Sequence, residues 1–86
     1  MKKKTDVYYV YMVICSDETF YTGYTNNLGG RVEKHNSGKG AKYTRGRGPV
    51  KLVYTEKYCS KSKAMKREYQ IKQLTHMEKF LLAAEK

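Results

Sequence analysis

From Val7 to Ile14 every residue is apolar or aromatic, with β-branched side chains and tyrosines on both alternation sets. A strand so composed is covered on both faces, and the pattern predicts a central position in a sheet. Cys15-Ser16-Asp17-Glu18-Thr19 is a polar break, after which Phe20 to Tyr24 resumes the aromatic alternation, so the two segments read as a β-hairpin. Turn length decides which side chains meet. A three-residue turn at Ser16-Asp17-Glu18 pairs positions whose numbers sum to 34 and puts Tyr11 and Tyr21 on one face, whereas a two-residue turn separates them.

Val50 to Tyr58 is a third strand, in which Val50, Leu52 and Tyr54 alternate with Lys51, Val53 and Thr55, so one face should be better buried. Before it, Thr25, Asn26 and Asn27 offer helix caps, and Leu28, Val32 and His35 follow at helical spacing. Gly29 and Gly30 oppose that helix by about 1 kcal/mol each relative to alanine. Toward the carboxyl terminus, Ser60 can cap a helix in which Ala64, Glu68 and Ile71 share a face. Thr75-His76-Met77-Glu78 has the form of a capping box, followed by Met77, Leu81 and Ala84 on one face. The element order is β-β-α-β-α-α. A chain of 86 residues suffices for one domain, taken as residues 1–86 with a core at about 7–83.

The formal charge of +10, from 18 basic and 8 acidic side chains, favours a polyanionic partner and makes nucleic acid the leading class. No run approaches the roughly 18 apolar residues of a membrane span, and Met1-Lys2-Lys3-Lys4 leads into a short apolar strand without a small-residue cleavage site, so a cytoplasmic location is expected. Cys15 and Cys59 lack the spacing of a zinc motif or a disulfide framework and read as semi-buried thiols.

Four features bear on chemistry. Arg31 and His35, four apart on a helix, project from the same side and can reach one site; the plainer reading is a snorkelling arginine and a partly buried histidine. Glu68 lies on the inward stripe of its helix, where an unpartnered carboxylate would cost several kcal/mol, so it requires a cation, a hydrogen-bond donor or a metal ion. The plainer reading is a structural salt bridge to one of the many lysines or arginines. The nine tyrosines, Tyr8, Tyr9, Tyr11, Tyr21 and Tyr24 among them, serve mostly as packing. Gly38 to Pro49 gathers Lys39, Lys42, Arg45 and Arg47 with four glycines and Tyr43, a composition suited to gripping phosphates and stacking a base, without the spacing of a P-loop.

Val10-Tyr11-Met12, Tyr21-Thr22-Gly23, Arg31-x-x-x-His35 and the distant Glu68 together resemble the GIY-YIG endonuclease superfamily. His35-Asn36-Ser37-Gly38, Gly40-Ala41-Lys42-Tyr43-Thr44-Arg45 and Arg67-Glu68 narrow the likeness to its stand-alone bacterial YhbQ-like subgroup, over about Tyr8 to Leu82. The first motif lacks its glycine, Thr22 stands where isoleucine is usual, and Gly29-Gly30 replaces the charged or helix-favouring residues common before the motif arginine.

The resemblance implies an α+β fold, a three-stranded antiparallel sheet flanked by helices, in agreement with the element order. It also implies hydrolysis of DNA phosphodiester bonds with a divalent metal, Mg²⁺ or Mn²⁺, held by Glu68. By the same resemblance Arg31 grips the scissile phosphate, Tyr11 or Tyr21 deprotonates the attacking water, with Tyr11 preferred, and His35 assists or relays the proton. Repair or processing of branched or single-stranded intermediates is the implied setting. The alternatives are a non-catalytic or partner-dependent nucleic-acid-binding module of the same fold, and a basic interaction domain for RNA.

Overall fold

The computed structural model describes residues 7–85; Met1 to Asp6 and Lys86 lie outside the described residues, and with them the basic start of the chain. Three strands, β1 (Tyr8–Ile14), β2 (Phe20–Thr25) and β3 (Lys51–Tyr58), form a sheet in the order β2-β1-β3, antiparallel throughout. Helix α1 (Leu28–Asn36) follows the hairpin, a 3₁₀ turn spans Lys42–Thr44, and α2 (Lys61–Lys72) and α3 (His76–Ala84) follow β3. The α+β order is the one expected, with β1 central. Among the described residues no helix is long and apolar enough to cross a membrane.

Because β1 is apolar on both alternation sets, it builds a core on each side of the sheet. Val10 and Met12 pack with Phe20, Ala64 and Ile71 on the face that α2 covers. Tyr11 and Val13 pack with Cys15 and Val50 on the other, where Leu28 and Val32 of α1 close the face. The hairpin adopts the three-residue turn: Ile14 pairs with Phe20 and Tyr11 with Gly23. Glu18 closes it at φ 67°, the left-handed residue that such a turn requires.

The caps fall where the sequence offers them. The Asn27 side chain accepts from Gly30 N–H, Ser60 from Lys63 N–H, and Thr75 with Glu78 forms a complete capping box. Gly30 has a specific use, since a Cβ there would lie 2.5 Å from Asn27 Nδ2. The glycine that weakens the helix in isolation lets the cap fold over its first turn. Gly29 has nothing within 4 Å of such a Cβ.

Three expectations are corrected. The register of β1 against β3 shifts between Met12 and Val13, pairing them with Tyr54 and Leu52 and leaving Val53 extra. This bulge breaks the alternation, so Leu52 is exposed while Val53 and Tyr54 both pack against the core. On α3, Met77, Leu81 and Ala84 face solvent, and Leu82 and Ala83 make the contact instead. Cys15 is buried as a semi-buried thiol allows, but Cys59 is exposed.

Candidate active site

The three-residue turn sets Tyr11 and Tyr21 on one face with ring centroids 6.4 Å apart. Tyr11, 1% exposed, carries its phenol across β2 over its cross-strand partner Gly23, where a Cβ would lie 2.6 Å from the hydroxyl. Only glycine leaves room for that crossing.

At its far end the Tyr11 hydroxyl lies 2.9 Å from Nε2 of His35, a residue 2% exposed. Nδ1 of His35 is 2.8 Å from Thr44 Oγ1, which in turn donates to the carbonyl of Ala41 at 3.0 Å. The carbonyl can only accept, so the threonine hydrogen is committed to it and Oγ1 accepts from Nδ1–H. Nε2 is thereby left bare, and Tyr11 O–H donates to it. The chain Tyr11→His35→Thr44→Ala41 thus assigns the tautomer from its neighbours. Gly40 presses on the same ring, since a Cβ there would lie 2.4 Å from Nδ1.

Burial, with a smaller contribution from the Arg31 charge, holds His35 below the ordinary histidine range. The imidazole is therefore neutral at pH 7, with Nε2 able to accept. Burial first, then Tyr21, pushes Tyr11 up to about 12; Arg31 opposes this, and Glu68 adds to it. Tyr11 is a protonated phenol at rest.

Arg31 leaves the first turn of α1 and lines a hollow of about 430 Å³ together with Tyr11, Tyr21 and Glu68. Those four side chains come from α1, β1, β2 and α2. Glu68 reaches the hollow because Ala64 and Ile71, both 0% exposed, turn its face of α2 toward the sheet. One residue earlier, Arg67 grips Glu56 of β3 through two nitrogens, at 2.8 and 2.9 Å. Tyr54 and Tyr58 donate to the same carboxylate. Burial opposes ionisation of Glu56, but these donors hold it below the usual carboxylate range. This clamp fixes the rotation of α2 and so the direction of Glu68.

The Glu68 carboxylate pairs with Lys72 at 3.4 Å, the salt bridge that sequence left open as its plainer partner. The lysine ammonium also lies 5.7 Å from the centre of the Tyr21 ring. The contact is single and long and its lysine side is 44% exposed, which puts it close to a surface i,i+4 pair worth about 0.3–0.5 kcal/mol, although the Glu68 side chain is only 19% exposed. That is too little to bar a divalent cation from the carboxylate. Among the described residues no three His, Cys, Asp or Glu side chains cluster, so a fully protein-caged ion has no site. One carboxylate beside an open hollow does match the donor set of Mg²⁺, which keeps several waters and takes one or two carboxylates plus substrate oxygens.

The glycine-rich segment divides. Tyr43 stacks on Tyr21 at 5.9 Å and 26°, and the Arg47 guanidinium lies 4.5 Å from the centre of the Tyr43 ring while pairing with Asp17 at the hairpin turn. Tyr43 and Arg47 therefore hold the loop against the sheet. Lys42 and Arg45 are exposed, and Lys39 lines a hollow beside His35.

Asn36, Thr44 and Arg67 stand in the motifs that narrow the likeness, but sequence reasoning gave none of them a role and passed over the Glu56–Arg67 clamp. Asn36 bonds both backbone groups of Val50, tying the end of α1 to the entry of β3. The clamp had a signal: period two puts Tyr54, Glu56 and Tyr58 on one strand face. Thr44 had none, because its contact depends on the path of an irregular loop.

The model of the GIY-YIG catalytic domain matches residues 7–80. A UPF0213 protein of Oceanobacillus iheyensis is 56% identical over 75 residues, covering 87% of each chain, and one of Staphylococcus aureus is 54% identical over 81 residues, covering 94% of this chain and 99% of its own. The solution NMR structure of a UPF0213 protein from Bacillus halodurans, 50% identical, superposes with a TM-score of 0.60 over 93% of this chain and 85% of that one. A second solution structure, from E. faecalis, is 43% identical with a TM-score of 0.59, over 92% and 83%. The chain belongs to the GIY-YIG family, whose catalytic domains are generally endonucleases, and fits its stand-alone YhbQ-like subgroup.

Proposed function

We propose that this protein is a metal-dependent endonuclease that hydrolyses DNA phosphodiester bonds in the hollow between Arg31 and Glu68. The observation that carries the reading is the meeting of Tyr11, Tyr21, Arg31 and Glu68 in one cavity, with Tyr11 hydrogen-bonded to His35. Family membership supports hydrolysis in general; the metal, the DNA substrate and each residue's role are our own reading.

Glu68 would hold Mg²⁺ or Mn²⁺, which supplies Lewis-acid polarisation of the phosphate and stabilises the leaving oxygen. Arg31 binds the phosphate and offsets the negative charge that grows on it. Tyr11 takes a proton from the attacking water while passing its own to His35 Nε2. A standing phenolate is too costly a base: with Tyr11 at about 12, forming one at pH 7 requires about 7 kcal/mol. Transfer through the Tyr11–His35 pair avoids a free phenolate; the lowered value of His35 leaves Nε2 unprotonated at rest, while burial and Arg31 oppose the imidazolium that the transfer forms, so the negative charge growing on the phosphate has to offset it. Tyr21 positions water or phosphate, and Lys39, Lys42 and Arg45 contact the backbone outside the hollow.

The reading is tested with labelled linear, single-stranded and branched DNA in Mg²⁺ or Mn²⁺. Cleavage should require the metal and fall sharply in Arg31→Ala and Glu68→Ala, both folded by circular dichroism. Equal inertness of wild type and variants on all three substrates would remove the enzyme. The reading left standing would be a non-catalytic or partner-dependent nucleic-acid-binding module of the same fold. Repair and the processing of branched intermediates are the setting we infer for the activity; the relative rates on the three substrates test that part.

A further inference from the structure

A second hollow, of about 340 Å³, adjoins the first, and Arg31 and Tyr21 line both. Its remaining walls are Lys34, His35, Lys39, Gly40 and Ala41. The two hollows differ in sign. The first sets Glu68 against Arg31 and Lys61, whereas the second holds Arg31, Lys34 and Lys39 with no carboxylate in its lining. Among the described residues neither Lys34 nor Lys39 forms an ion pair. Three cations converging on a concave surface repel one another unless an anion joins them.

Both lysines are exposed, and they are linked through the backbone. Lys39 N–H donates to the Lys34 carbonyl at 2.9 Å in the turn that ends α1, which ties their backbones together. Gly40 is packed against His35 so closely that a Cβ would lie 2.9 Å from its Cα, which keeps this wall next to the relay histidine. Arg31 stands between a place that suits a scissile phosphate and a place that suits only an anion.

We propose that the second hollow is a binding site for a non-scissile phosphate, the neighbour of the scissile one on the same strand, held by Lys34 and Lys39 and bridged to the first by Arg31. This rests on the nuclease reading for the word scissile, but not for the site itself. The substrate then has to present two successive phosphates. Internal bonds of a strand meet that condition, and a bond with no neighbouring phosphate does not.

The test needs no metal and no cleavage. In EDTA the protein is titrated with TpT, which carries one phosphodiester, and with TpTpT, which carries two, while lysine side-chain resonances are followed by NMR. TpTpT should bind at least about tenfold more tightly than TpT, the gain expected of charge-assisted contacts to a second phosphate, and should shift the Lys34 and Lys39 resonances. The double variant Lys34→Ala/Lys39→Ala should bind both ligands alike, while the charge-matched control Lys57→Ala/Lys66→Ala should retain the preference. Equal affinities in wild type, a preference that survives loss of Lys34 and Lys39, its loss in the control as well, or no binding of either ligand would each overturn the site. The two readings fail separately. A preserved preference in a protein that cleaves nothing leaves the site and removes the nuclease, whereas cleavage without the preference does the reverse.

Discussion

Thr44→Val is the sharpest probe of the hydrogen-bond chain behind Tyr11. Valine keeps the volume and β-branching of threonine but removes the oxygen that accepts from His35 Nδ1–H and donates to Ala41. The imidazole is 2% exposed, so its abandoned N–H has no water to turn to. A buried donor left unsatisfied costs about 1–3 kcal/mol. For a domain of this size 1 kcal/mol corresponds to about 4–8 °C in Tm, so a loss of roughly 8–16 °C is expected for a 2 kcal/mol cost. The variant can lessen that loss by moving the imidazole proton to Nε2, which then points at the Tyr11 oxygen and turns the phenol hydrogen into the hollow. Long-range ¹H–¹⁵N spectra distinguish the tautomers directly. Wild type should carry the proton on Nδ1, Thr44→Ser should keep it there with a small loss of stability, and Thr44→Val should lose both stability and tautomeric purity. A wild-type proton on Nε2, or a valine variant with unchanged Tm and spectrum, would refute the chain.

Further predictions concern the same neighbourhood. Tyrosinate absorbance should show a late step near pH 12 that disappears in Tyr11→Phe, and its absence from wild type would contradict the burial of that phenol. Because the Tyr11 value is raised, its contribution is whole below the unfolded value of about 10 and is lost as pH rises through about 12. His35 acts in the opposite direction: its value is lowered, so stability is intact above about 6.5 and falls as pH drops through that value, because the unfolded chain binds the proton more readily. Urea denaturation across this range checks the sign, and His35→Gln should flatten the acidic decline. Thr22→Val should raise stability by about 1 kcal/mol or more, measured by urea denaturation, because Thr22 Oγ1 is buried without a hydrogen-bond partner. Gly40→Ala should lower Tm and broaden His35 resonances, since its Cβ would meet both the ring and the backbone of His35.

Much of this was legible in the chain because it is local. The two-sided apolar run fixed β1 at the centre, and Ser60, Thr75 and Glu78 announced caps that formed. Tyr11, Tyr21, Arg31 and Glu68 were legible by their order and spacing, and the turn-length argument correctly stated what Tyr11 and Tyr21 needed in order to share a face. The bulge at Val53 was not legible, because the residues around it alternate without a cue for an extra position. The buried face of α3 was misjudged as that of Met77, Leu81 and Ala84: apolar residues surround much of its nine-residue length, so periodicity cannot choose Leu82 and Ala83 over Met77 and Leu81. Thr44 against His35 and Arg47 against Asp17 depend on how an irregular loop returns to the sheet, information that no short window contains. Arg47 read as a phosphate contact, and the fold adds Asp17 at the hairpin turn and the Tyr43 ring as its partners.

Whether the side chains gathered from four elements form a single metal-assisted site is decided most directly by titrating Mn²⁺ into isotope-labelled protein with bound DNA and watching which resonances broaden first. The account predicts that Glu68 and the hydroxyl-bearing ends of Tyr11 and Tyr21 lead, and that Glu68→Gln abolishes the effect. Broadening centred on Asp17 and Glu18 at the hairpin turn, or left unchanged by Glu68→Gln, would contradict it.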